Sequence, residues 1–229
     1  MQTFNIFPTT IYVGEVTEHE KHKEEFYKVY PKFDYEENRE NNTVSENVGN
    51  PFIHLEPTLD PLFEQIAAHA KKYTCEVLGY KDIFDYVITK TWLSRARRTT
   101  DEIRWHIHST SHISFVYYVN IPPNAHVLEF ENSCTKNDLF KTMNSKDDDN
   151  PDRNMVENYN ALNAETFYLH PPEGSIAMFP SSLPHNTKFK GDKFEGERLG
   201  IVGDITLMLK EDQLHYSMGY IDNKYWVKY

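Results

Sequence analysis

The chain has 229 residues and a formal net charge of −11, from 24 Lys and Arg against 35 Asp and Glu. Hydrophobic residues make up 39% and aromatic residues 14%, ample for a packed core, which excludes global disorder. The acidic balance argues against nucleic-acid binding through a basic face and against polybasic docking on a membrane.

Two cysteines, Cys75 and Cys134, are too few for a disulfide framework. With no leader-like start and no apolar run of membrane-spanning length, the expectation is a soluble, cytoplasmic protein. The sequon at Asn41-Asn42-Thr43 is read as chance.

Residues 4–16 mix β-branched and aromatic side chains around Pro8, predicting a strand begun or interrupted at a bend. Thr17-Glu-His-Glu20 has the form of a capping box and predicts a short helix towards Tyr30. Residues 31–51 are polar, acidic and rich in Asn, and read as a loop. The clearest helix is 61–78, where Leu62, Phe63, Ile66, Ala67, Ala70, Tyr73, Val77 and Leu78 recur at helical spacing. Asp60 suits its N-cap, Pro61 its first turn and Gly79 the residue past its end.

From residue 83 the period becomes that of strands, with candidates at 86–95, 104–121, 126–131, 166–170, 174–179, 184–190, 197–207 and 215–228. Residues 132–165 have little periodicity, with an acidic centre at 147–149, and read as a lid or mobile insertion. The pattern predicts one domain over 1–229, in which residues 1–82 support a core at 83–229. Its class is mainly β (α+β), a jelly-roll or barrel-like core with helices on one side. Tyr225 and Trp226 are expected in core packing or in a homodimer contact.

Three histidines precede the most apolar run, in Trp105-His106-Ile107-His108-Ser-Thr-Ser-His112. Residues i and i+2 of a strand share a face, so His106 and His108 can offer two imidazoles to one metal ion. Two surface histidines beside a buried strand would read the same way. His112 is expected at the strand entrance, as a polar group behind the site. The block Pro171-Pro-Glu-Gly-Ser-Ile-Ala-Met-Phe-Pro-Ser-Ser-Leu-Pro-His185 delivers a third imidazole at a loop edge, as a ligand or an ordinary turn histidine. Arg198, in an otherwise apolar strand, requires an anion, which a protein carboxylate or a ligand carboxylate could provide.

Taken in order, His106-x-His108, Ser-Phe-Val-Tyr-Tyr-Val-Asn, Gly174-Ser-Ile-Ala-Met-Phe-Pro-Ser-Ser-Leu-Pro-His185 and Glu197-Arg198 resemble the Fe(II)/2-oxoglutarate-dependent dioxygenases, and among them the prolyl-hydroxylase-like members. The resemblance covers most of the chain but not 132–165. It implies a double-stranded β-helix (jelly roll) core buttressed by the N-terminal helices. It also implies iron bound by His106, His108 and His185, with Arg198 and Tyr118 holding the distal carboxylate of 2-oxoglutarate and Tyr117 facing away. The implied reaction consumes O2, decarboxylates 2-oxoglutarate to succinate and hydroxylates a C–H bond of a peptidyl or small-molecule substrate. Two departures stand out. His108 occupies the place where most relatives have Asp or Glu, which leaves Glu129 or Glu131 as alternative carboxylates, and Gly200 stands where many have Ser or Thr. The competing readings are a cupin-type metalloenzyme and a non-catalytic jelly-roll module.

Overall fold

The β-branched and aromatic runs between residues 84 and 209 pair into two antiparallel sheets. This computed structural model describes residues 2–3, 8–33, 52–132, 157–158, 160–191, 193–211, 213 and 227. Its strands are β1 (Tyr12–Glu15), β2 (Phe84–Ala96), β3 (Ile103–His106), β4 (Ile113–Asn120), β5 (Val127–Glu131), β6 (Thr166–Leu169), β7 (Ser175–Pro180), β8 (His185–Lys188) and β9 (Arg198–Leu209). One sheet runs β1-β7-β4-β9-β2 and the other β3-β8-β5-β6. This is the double-stranded β-helix arrangement expected from the sequence.

Strand parity divides the core in two. On β4, Phe115, Tyr117 and Val119 join a cluster with Phe26 and Val29 of helix α1 (His19–Val29) and with Leu62, Phe63, Ile66 and Ala70 of helix α2 (Asp60–Lys71). The helices therefore cover the outer face of the larger sheet, as anticipated. Full burial of side chains such as Phe115, Leu62 and Ile66 stabilises this layer by about 1.5–3 kcal/mol each. The alternate residues Val116 and Tyr118 face the space between the sheets, with Trp92, Leu128, Phe130, Phe179 and Val202. Gly203 makes the outer layer possible, because a Cβ there would lie 2.5 Å from Phe115 Cζ.

Several local expectations are corrected. No capping box forms at Thr17. Helix α1 starts after Glu18 in a left-handed conformation, and Thr17 is instead tied through N and Oγ1 to Gln65 Oε1 of α2, both at 2.9 Å. Asp60 is the first helical residue of α2 and no side chain caps that end, while a π-helical stretch, Lys72–Val77, carries the helix on to Gly79 at φ +76°. The strand expected over 104–121 breaks into β3 and β4, because the polar segment after Ile107 turns at Ser109-Thr110.

The strand expected over 215–228, most of the 132–165 insertion, Tyr225 and Trp226 lie outside the described residues. The ends of the insertion meet, with Asn132 N donating to Glu165 O at 2.7 Å. No helix among the described residues is long and apolar enough to cross a membrane.

Candidate metal centre and active site

The pairing of β2 with β9 builds one wall of the inter-sheet space. In this register Lys90 lies opposite Asp204, Trp92 opposite Val202, Ser94 opposite Gly200 and Ala96 opposite Arg198. Lys90, Trp92, Ser94, Arg198, Val202 and Asp204 all line a cavity of about 540 Å³, which His106, His108 and His185 also line.

Pairing places two of the histidines directly. His106 ends β3 and lies opposite His185, the first residue of β8, and their ring centroids are 4.2 Å apart. His108 arrives differently from the strand-parity expectation, since β3 has ended and the residue sits in the following segment, its N–H donating to Ser181 O at 2.9 Å. Its ring is still 5.2 Å from His106 and 5.1 Å from His185. One ring nitrogen from each of the three can be chosen so that all lie within 4.8 Å of one another.

The hydrogen bonds assign the tautomers. His106 Nδ1 lies 2.7 Å from Arg104 O, His185 Nδ1 2.8 Å from Leu183 O, and His108 Nδ1 2.5 Å from Asp204 Oδ1. A carbonyl and a carboxylate only accept, so each Nδ1 carries a proton, which leaves Nε2 as the atom each neutral ring would offer to a metal. Burial, reinforced by His106, holds the His185 imidazole down to about 3, so it is neutral throughout the physiological range. Three clustered imidazoles on one cavity wall fit a divalent transition ion such as Fe(II).

Neither alternative carboxylate reaches this cluster. Glu129 lies on β5 between Leu128 and Phe130, which face the inter-sheet core, and its own carboxylate takes Asn186 Nδ2 at 2.8 Å and Lys190 Nζ at 3.5 Å. Glu131 is exposed. His112 sits just before β4, as expected, where its Nδ1 accepts from Leu207 N at 3.0 Å. A second group with metal-like spacing, His19, Glu20 and Glu173, already holds a cation, for Lys23 Nζ lies 2.5 Å from Glu173 Oε1.

Arg198 is 1% exposed, and among the described residues no carboxylate pairs with it. Nη1 donates to Ser94 Oγ at 3.3 Å, and Nε has no hydrogen-bond partner among the described residues. The neighbouring Glu197 turns away, to Arg97 at 2.7 Å. Tyr118 lies beneath the guanidinium, ring centroid 5.5 Å from Cζ, with its hydroxyl unpartnered and pushed up to about 12 by burial. Tyr117 faces the helices and bonds to His19 at 2.7 Å. A buried cation with unused donors is a seat for an anion.

A family model described as "Putative 2OG-Fe(II) oxygenase" matches residues 90–203, a span holding the three histidines, Tyr118 and Arg198. The chain belongs to the 2OG-Fe(II) oxygenase superfamily. No curated protein matches this chain. Among solved structures it is similar to AviO1 from Streptomyces viridochromogenes Tue57, at 14% identity and a TM-score of 0.54, over 86% of this chain and 90% of that one. It is also similar to HygX from Streptomyces hygroscopicus with nickel and 2-oxoglutarate bound, at 12% identity and a TM-score of 0.51, over 86% and 82%. It spans 56% of the length of an oxidoreductase of the 2OG-Fe(II) oxygenase family from Burkholderia pseudomallei, matched over 66% of this chain at 10% identity and a TM-score of 0.44. At these identities the likenesses bear on fold alone.

The sequence alone did not mark Asp204 or Ser94 as part of the site. Asp204 shares strand parity with Arg198, and Ser94 with Trp92, but only the register between strands brings them to His108 and Arg198.

Buried histidines also bear on the acid stability of this chain. His22, His54, His126 and His185 are all held below the ordinary imidazole range, in each case first by burial. The unfolded chain takes up protons near pH 6.5 and the folded chain only at lower pH, so stability is full above that value and falls as pH drops below it. Urea midpoints of the metal-free protein should therefore be lower at pH 5 than at pH 7.5. The fall should be smaller for His126→Phe, because His126 sits between Phe189 and Phe194 with both ring nitrogens unpartnered. An unchanged pH difference in this variant would show that His126 does not contribute.

Proposed function

We propose that this chain is an Fe(II)- and 2-oxoglutarate-dependent oxygenase that hydroxylates a C–H bond of a peptidyl or small-molecule substrate. The observation that carries the reading is the joint presence, on one cavity, of three imidazoles with nitrogens within 4.8 Å of one another and a buried arginine with no carboxylate partner among the described residues. His106, His108 and His185 would hold the metal through Nε2. Bound there with 2-oxoglutarate and O2, Fe(II) supplies the oxidative decarboxylation to succinate and CO2 that drives oxygen insertion into the substrate.

The protein's own part is positioning. Arg198 offers its planar fork to the distal carboxylate of 2-oxoglutarate, and the free hydroxyl of Tyr118 adds a donor. Ser94, across the ladder from Gly200, provides the hydroxyl that the chain lacks at position 200. Trp92, Val116, Leu128 and Val202 keep the intervening wall apolar, which limits water and strengthens the polar contacts at both ends.

Anaerobic titration with Fe(II) and 2-oxoglutarate tests this. A visible metal-to-ligand charge-transfer band should appear with the parent chain and be absent from His185→Ala, and succinate should form on admitting air. No band in the parent, or the same band in His185→Ala, overturns the assignment.

A further inference from the structure

The three imidazoles are not braced alike. His106 and His185 each donate Nδ1–H to the backbone carbonyl two residues earlier, Arg104 O and Leu183 O, so their orientation is a local property of their own strands. His108 lies off the strand and has no such carbonyl. Its Nδ1–H reaches 96 residues along the chain to the Asp204 carboxylate on β9, at 2.5 Å.

That carboxylate is itself fixed. Asp204 is 1% exposed, Ser114 Oγ lies 3.2 Å from the same Oδ1 and 3.0 Å from His108 Nδ1, and Lys90 Nζ lies 3.8 Å from Oδ2. Ser114 Oγ is in turn 3.0 Å from Ser181 Oγ, on the residue whose carbonyl holds the His108 backbone. The Trp92 ring packs 5.4 Å from the His108 ring and closes another side. A buried carboxylate is costly unless it is fully engaged, and this one is engaged on the imidazole and its supports.

We infer that Asp204 is a positioning residue of the metal centre: it holds His108 as the Nδ1–H tautomer, aims Nε2 into the cavity, and supplies from one hydrogen bond behind the ring the negative charge that three imidazoles lack. The inference rests on the metal-centre reading above. A carboxylate behind a ligating imidazole fixes the ring and raises its basicity, and losing such a partner typically weakens metal binding 10–100-fold. Asparagine at this position keeps the shape but has no charge. Its amide can also donate to Nδ1, which favours the wrong tautomer with Nε2 protonated.

Anaerobic Fe(II) binding, measured by competition with a chromogenic chelator, is compared in the parent, Asp204→Asn, Asp204→Leu and Glu131→Gln chains. Both Asp204 variants should bind Fe(II) about 10–100-fold more weakly, while Glu131→Gln, at an exposed position, keeps the parent affinity. Long-range proton–nitrogen spectra of the metal-free protein should show His108 as the Nδ1–H tautomer in the parent and shifted towards Nε2–H in both Asp204 variants, a change that loss of packing alone would not produce. If Asp204→Leu does not fold, the near-isosteric Asp204→Asn carries the comparison. Fe(II) affinity within twofold of the parent, or an unchanged tautomer, in Asp204→Asn overturns the role of Asp204 alone. A parent chain that takes up no Fe(II) overturns the metal-centre reading with it.

Discussion

Replacing Arg198 with methionine is expected to abolish 2-oxoglutarate binding while leaving the folded chain at least as stable as the parent. The two effects have one cause. The guanidinium is buried, it has no carboxylate partner among the described residues, and its hydrogen bond to Ser94 is long at 3.3 Å. Burial disfavours its charge, lowering its pKa from the ordinary arginine value. Methionine fills similar volume without a charge to desolvate, and comparable replacements of buried ionic groups are often neutral or stabilising. The bound state is the reverse case, since a carboxylate placed beside Arg198 completes a buried, charge-assisted pair. Removing one partner of such a pair costs about 2–5 kcal/mol, or roughly 30- to 4,000-fold in affinity. Isothermal titration with 2-oxoglutarate and urea unfolding of the same samples give the two readings. A variant that keeps its affinity but loses stability would make Arg198 a structural residue of β9.

Sequence order and strand parity located much of this site. The alternation along 113–120 separated Tyr118 from Tyr117, and the structure puts them on opposite faces, one under Arg198 and one against His19. The helix over 61–78 was legible because its apolar stripe and flanking Pro and Gly all agreed. What stayed hidden depends on contacts between strands. Nothing local to Ser94 says that Gly200 lies opposite it, and nothing local to Asp204 says that a histidine 96 residues away needs a brace. The Thr17 capping box failed for a related reason, because Gln65 of the second helix competes for the same hydroxyl and N–H.

Net charge was similarly uninformative about the ligand. The chain carries −11, yet the cavity lining holds Lys90, Arg104 and Arg198 against a single acid, Asp204. The surplus acid lies elsewhere, so an anionic cosubstrate meets a locally cationic surface inside an acidic protein.

Substituting His108 by aspartate, which would recreate the two-histidine, one-carboxylate set common in the superfamily, is expected to weaken Fe(II) binding in this chain. The obstacle is Asp204. Its Oδ1 lies 2.5 Å from His108 Nδ1, so the new carboxylate would occupy the same buried neighbourhood as an existing one. Two carboxylates at such range cannot both ionise without a large penalty, and the shorter side chain also falls short of the position reached by Nε2. A loss of about 10–100-fold in Fe(II) affinity follows, comparable to removing a ligand's support. Adding Asp204→Ser removes the like charge and leaves a small hydroxyl that can bond to the remaining carboxylate. The His108→Asp, Asp204→Ser pair should therefore bind Fe(II) more tightly than His108→Asp alone, and the double-mutant cycle should show strong coupling between the two positions. Chelator competition on the four chains decides the matter. Independent, additive losses would mean that the carboxylate at 204 and the donor at 108 do not act as one unit, and the negative charge of the centre would then have to come from outside the described residues.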